Sequence, residues 1–175
     1  MKPISQDVPA AGAQPNLLSE SIYAAIGHIA VQWSYLEEAC ALALMALTGA
    51  SFNEMSCISA NMNSASRFNA LLALADRLPE PERSELRAIV TAGKDLGGER
   101  NRIIHSAWRS TDSPDVAVRL TYRATGKLVQ KREPKAVSEL EGVGNAIGQA
   151  KDQLIKFMES RNMLPGATPQ PVPEP

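Results

Sequence analysis

No apolar run in this sequence approaches the length needed to cross a bilayer, and Met1 to Pro15 lacks the basic start and apolar stretch of a secretory signal. A soluble protein with no membrane partner is expected, and a cytoplasmic location with it. Cysteine occurs twice and histidine twice, with no CxxC pair and no metal-ligand spacing. No metal site is expected, and Cys40 and Cys57 read as free core thiols. The chain also has no Walker-type phosphate loop, no dinucleotide fingerprint and no His/Glu metal box, so no cofactor is expected. Its net charge of −1 gives no overall pull toward nucleic acid.

What is present is a globular composition, 44% hydrophobic and 21% charged, in 175 residues, enough for one core. From Asn16, read as an N-cap, to Thr48, Ile22, Ile29, Leu36 and Ala43 recur in one heptad register and Ile26, Trp33, Cys40 and Leu47 in another. This predicts a long buried helix ended by Gly49. Ser51 and Glu54 have capping-box spacing, which predicts a short helix over Phe52 to Ser59. Asn63 or Ser64 starts a third helix through Phe68, Leu71, Leu72, Ala75 and Leu78, closed by Pro79. Pro81 opens a fourth, whose apolar face runs through Leu86, Ile89, Val90, Leu96, Ile103, Ile104 and Trp108. Gly93, Gly97 and Gly98 interrupt it at a cost of about 1 kcal/mol each relative to alanine, which implies close backbone packing or a local irregularity.

After the loop Thr111 to Pro114, Val116, Val118, Leu120 and Tyr122 alternate with polar or small residues, and Leu128 to Lys131 follows the turn Ala124 to Lys127. A β-hairpin at about 115–132 is predicted. The last helix is expected to begin near Pro134 and carry Leu140, Val143, Ile147, Ala150, Leu154 and Phe157. The expected organisation is thus a disordered arm over 1–15, a single mainly α domain over 16–163, and a disordered Pro-rich tail over 164–175.

Charge is uneven along this plan. Between Arg100 and Arg132 eight basic residues face two acidic ones, a local balance of +6 that leaves −7 for the remainder. Arg102, Arg109, Arg119, Arg123 and Lys127 are the candidate contacts to RNA phosphates, the alternative being a solvated face. Trp33 and Trp108 read as core anchors rather than base-stacking platforms; Tyr122 is the better stacking candidate.

Arg100 continues the apolar stripe of its helix, four residues from both Leu96 and Ile104. A cation there requires a carboxylate partner, a cleft or a subunit interface. Glu37, one turn beyond Trp33, is the preferred partner and Glu38 the second. Asn101 stands one turn before His105 and can orient its imidazole. Arg100 and His105 project about 140° apart on a helix, so they converge best with a second copy of the same helix. Cleavage of RNA by its own 2′-hydroxyl needs a proton-transfer group, which histidine supplies, and a fixed cation for the charge that builds on phosphate. This chemistry demands no metal.

Arg100-Asn101-Arg102-Ile103-Ile104-His105 resembles the signature of the HEPN superfamily: arginine, a polar residue, a few intervening positions, then histidine. Trp33-x-x-Leu36-Glu37 and Trp108 are similar to a bacterial subset of that superfamily. The resemblance implies a HEPN-like helical bundle, here with a small β-hairpin inserted before the last helix, and dimerisation with motif helices facing. It also implies a metal-independent endoribonuclease of the toxin or phage-defence kind, with Arg100 and His105 catalytic and Asn101 supporting. Two alternatives stand beside it. One is a non-catalytic binding or assembly module in which Arg100 and His105 organise an interface and the tails engage partners; the other is an antitoxin-type component that binds without cutting.

Overall fold

The computed structural model describes residues 17–124 and 128–164, and at 123, 124 and 128 only the backbone. The expected N-terminal arm, the Asn16 cap, the turn residues Thr125 to Lys127 and the Pro-rich tail from 165 onward lie outside the described residues. The chain is mainly helical, with a small antiparallel sheet before the last helix. Five helices are described: α1 (Glu20–Thr48), α2 (Phe52–Ser59), α3 (Ser64–Ala75), α4 (Glu82–Ile104) and α5 (Val137–Glu159). The sheet comprises β1 (Ala107–Ser110), β2 (Val116–Ala124) and β3 (Leu128–Ala136), in that order.

Local signals fix the first half of the chain. The Ser19 hydroxyl accepts from the Ile22 N–H at 3.4 Å, so α1 is capped there. Gly49 ends α1 with φ 71°, and its N–H donates to the Met45 carbonyl. The Ser51–Glu54 capping box and the Asn63 cap form as expected. On α1 both heptad registers turn inward. Ile22, Ile29, Leu36 and Ala43 are buried, as are Trp33 and Cys40, while Ile26 and Leu47 lie at the edge of the core. Burial of each large side chain contributes about 1.5–3 kcal/mol. Among the described residues no helix is long and apolar enough to cross a membrane.

Small residues set how closely the helices approach. A Cβ at Gly97 would stand 2.9 Å from Cη2 of buried Trp33, and one at Gly93 would stand 3.1 Å from Cε1 of Phe68. These two glycines let α4 lie directly on the aromatic pair, whose rings are tilted with centroids 5.9 Å apart. Gly98 has nothing within 4 Å of its would-be Cβ, so of the three only it plays no packing part. On the other side of α1, Gly144 of α5 sits against the His28 ring. That contact gives the exposed His28 a packing role.

Four expectations are corrected here. α4 stops at Ile104, and Trp108 belongs to β1, a strand too short to leave a pattern in the sequence. Its indole N–H donates to the Ile103 carbonyl at 3.0 Å and satisfies one of the acceptors that a helix end leaves open. The hairpin is therefore a three-stranded sheet. Pro134 lies within β3, an edge strand where a residue without an N–H is tolerated, so α5 begins only at Val137. Cys57 is exposed, so only Cys40 is a core thiol, and burial pushes that thiol up to about 12.

Candidate functional site

Strand alternation gives the sheet two chemically different faces. Register pairs Trp108 with Arg119, Arg119 with Glu133 and Ala117 with Lys135, which places these side chains on the inner face, toward α4 and α5. Ala117 is fully buried in the core. Arg119 is 5% exposed, and its guanidinium bridges two carboxylates, Glu99 of α4 at 3.0 Å and Glu133 of β3. Glu99 also takes the Arg102 guanidinium at 2.6 Å, and Glu133 takes the Lys131 ammonium.

The electrostatics of this network follow from its bonds. Lys131 and Arg119 together hold the Glu133 carboxyl at about 2, from an ordinary 4.5. Burial opposes ionisation of Glu99, yet the bonds from Arg102 and Arg119 outweigh it and keep the carboxyl below its ordinary value. Burial likewise opposes the charge on Arg119, and the two glutamates raise its affinity for the proton despite that. A cleft of about 870 Å³ opens beside the network, between the sheet, α4 and α5. Neither Arg100 nor His105 lines it.

Those two residues sit at the C-terminal end of α4. The Arg100 guanidinium lies over the Trp33 ring, 5.6 Å from its centroid, a contact worth about 0.5–2 kcal/mol. Its Nη1 donates to Asn101 Oδ1 at 2.9 Å. Its Nε is buried and meets no acceptor among the described residues, and the same is true of the Trp33 indole N–H. No carboxylate of the described residues lies within 4 Å of this guanidinium. His105 is the C-cap of α4, exposed, with its backbone N–H on the Asn101 carbonyl at 3.0 Å. The helix thus carries a half-buried cation and an exposed imidazole within two turns.

Comparison with protein-family models, with curated proteins and with solved structures gives no match.

Several of the expected roles move. Glu37 does not pair with Arg100: its carboxylate accepts the Ser64 hydroxyl at the start of α3, and its carbonyl receives Arg67 Nη1 at 3.4 Å. That bond ties α3 to α1 and leaves Trp33 as the neighbour of Arg100. Asn101 Oδ1 accepts from Arg100, and among the described residues its side chain makes no bond to the imidazole. Arg119 is buried and doubly paired, which removes it from the phosphate contacts, and Arg102 is tied to Glu99. Arg109 is exposed and meets no carboxylate within 4 Å among the described residues. The Arg123 side chain and Lys127 lie outside the described residues. Sequence reasoning missed Glu99 and Glu133 as the counter-charges. The i,i+3 spacing of Glu99 and Arg102 was a signal for the first. Only strand register reveals the second.

Proposed function

We propose that this chain is a HEPN-like, metal-independent endoribonuclease that acts as a homodimer, of the kind found in toxin or phage-defence systems. One observation carries the reading. Arg100 is a half-buried guanidinium with no carboxylate partner among the described residues, placed on the same helix end as exposed His105. A guanidinium held against the indole face without a carboxylate keeps its charge available to an anionic group. A phosphodiester is such a group.

In this reading the substrate's 2′-hydroxyl is the nucleophile, so the protein supplies only proton transfer and charge stabilisation. The 2′-oxygen bonds to phosphorus, the phosphorus to 5′-oxygen bond breaks, and the products are a 2′,3′-cyclic phosphate and a 5′-hydroxyl. His105 takes the 2′-hydroxyl proton, and water protonates the leaving 5′-oxygen. Arg100 faces the developing charge on the non-bridging oxygens, and Asn101 fixes the guanidinium through its 2.9 Å bond. A single copy presents Arg100 and His105 on divergent sides of α4, which favours a site completed by a second copy. The exposure of Tyr23, Val31 and Tyr35 within about a third of the circumference of α1 supports an assembly surface on this domain.

The test is cleavage of a labelled single-stranded RNA pool by the purified chain in excess chelator. Product with a 5′-hydroxyl end, undiminished by chelation, is expected. Activity that chelation abolishes, or no product from any RNA, would contradict the reading.

A further inference from the structure

The sheet's outer face is the part of the basic segment that the ion network leaves free. Register puts Arg109 opposite Val118 and Arg132 opposite Leu120, so the two arginines flank β2 from either side on one face. Strand spacing sets their Cα atoms about 12 Å apart, far enough to take separate phosphates. Both are exposed, and neither has a carboxylate within 4 Å among the described residues. The other residues of this face, among them Val118, Leu120, Gln130 and Pro134, are uncharged, with Leu120 on β2 buried, while Asp112 and Asp115 lie in the β1–β2 loop, off the strands. Tyr122 stands at the rim between this face and the inner cleft, 54% exposed.

The contrast with the inner face is chemical. There Arg119, Arg102 and Lys131 are neutralised by Glu99 and Glu133 and hold the sheet to α4. Outside, Arg109 and Arg132 have no carboxylate within 4 Å among the described residues to answer them. A strand surface with separated, exposed cations and one aromatic fits an extended polyanion with stackable bases better than a duplex, whose phosphates follow a curved groove. β1 begins two residues after His105, so a strand lying on this face continues directly to the end of α4.

We propose that the outer face of the sheet binds the backbone of single-stranded RNA through Arg109 and Arg132, with Tyr122 offering a stacking edge. The assignment rests on the ribonuclease reading for the choice of RNA. It is tested by anisotropy titration of a labelled single-stranded RNA with the His105→Ala chain, which prevents cleavage, across a range of salt concentrations. Adding Arg109→Ala and Arg132→Ala is expected to weaken binding roughly 10- to 30-fold near 0.1 M salt and to lower the log–log salt slope by about 1.4. Arg77→Ala, an exposed arginine just beyond α3, is expected to leave affinity and slope unchanged.

Equal affinity and slope in the double variant would overturn the assignment, and so would failure of the His105→Ala chain to bind RNA. The two readings fail separately. If binding falls as expected but the wild-type chain yields no cleaved product, the surface stands and the ribonuclease reading falls. If the wild-type chain cleaves while the double variant binds as before, the surface falls and the ribonuclease reading stands.

Discussion

Replacing His105 by alanine is expected to lower RNA cleavage by about 10²- to 10⁴-fold, the usual contribution of a positioned proton-transfer group. The fold should hardly notice. His105 is exposed at the C-cap of α4 and its structural bond is made by the backbone, so the cost in stability is expected to be under about 1 kcal/mol. Arg100→Ala removes the fixed cation and is expected to cost about 10²- to 10³-fold, on the scale of one donor to a developing oxyanion. Arg100→Lys distinguishes charge from geometry. Lysine keeps the charge but loses the planar fork that lies on Trp33 and bonds Asn101, so it is expected to fall between wild type and alanine. Single-turnover rates with circular dichroism on the same samples would check both. A His105→Ala chain that cleaves at the wild-type rate would remove the imidazole from the mechanism.

The second large effect falls on stability. Arg119→Met is expected to destabilise the chain by about 2–3 kcal/mol, because it leaves Glu99 and Glu133 facing each other across the space the guanidinium filled. The estimate sits below that for a fully buried pair, since both glutamate side chains are about a quarter exposed. Acid should act on the same joint. The Glu133 carboxyl is depressed to about 2 in the folded chain from an ordinary 4.5, and Glu99 is also depressed. Their contribution is therefore fully present above about pH 4.5 and is lost as pH falls toward 2, when the unfolded chain binds protons that the folded one refuses. Urea denaturation at pH 7 and pH 3 for wild type and Arg119→Met tests this. A midpoint difference between the two that is as large at pH 3 as at pH 7 would show that the ion network is not its source.

The helices were legible because their signals are local. Ser51 with Glu54, Asn63 and Gly49 mark ends through bonds within one turn, and the α1 heptads mark the buried side without reference to any partner. The close packing implied by the glycines of α4 is realised at Gly93 and Gly97. What could not be read is what depends on pairing between distant segments. β1 has four residues and no periodicity, and Trp108 fits the helical stripe of α4 until strand pairing claims it. The identity of the counter-charges failed for the same reason. Arg119 looks like a free cation on a basic hairpin until register sets Glu133 opposite it and packing brings Glu99 beneath it. Glu37 sits one turn from Trp33, as expected for a partner of Arg100, yet Ser64 takes it. A sequence shows which residues share a helix face, but not which of two neighbours an exposed-edge carboxylate meets.

On the proposed mechanism Arg100 and His105 form half of a site that a second copy completes. Mixing Arg100→Ala and His105→Ala chains probes this, since each alone lacks one group at every site. If the two residues act across a symmetric dimer, random exchange restores one intact site in half the dimers, and activity is expected to recover to about a quarter of wild type. If mixing under conditions where subunits demonstrably exchange restores nothing above the separate variants, the shared-site account is contradicted.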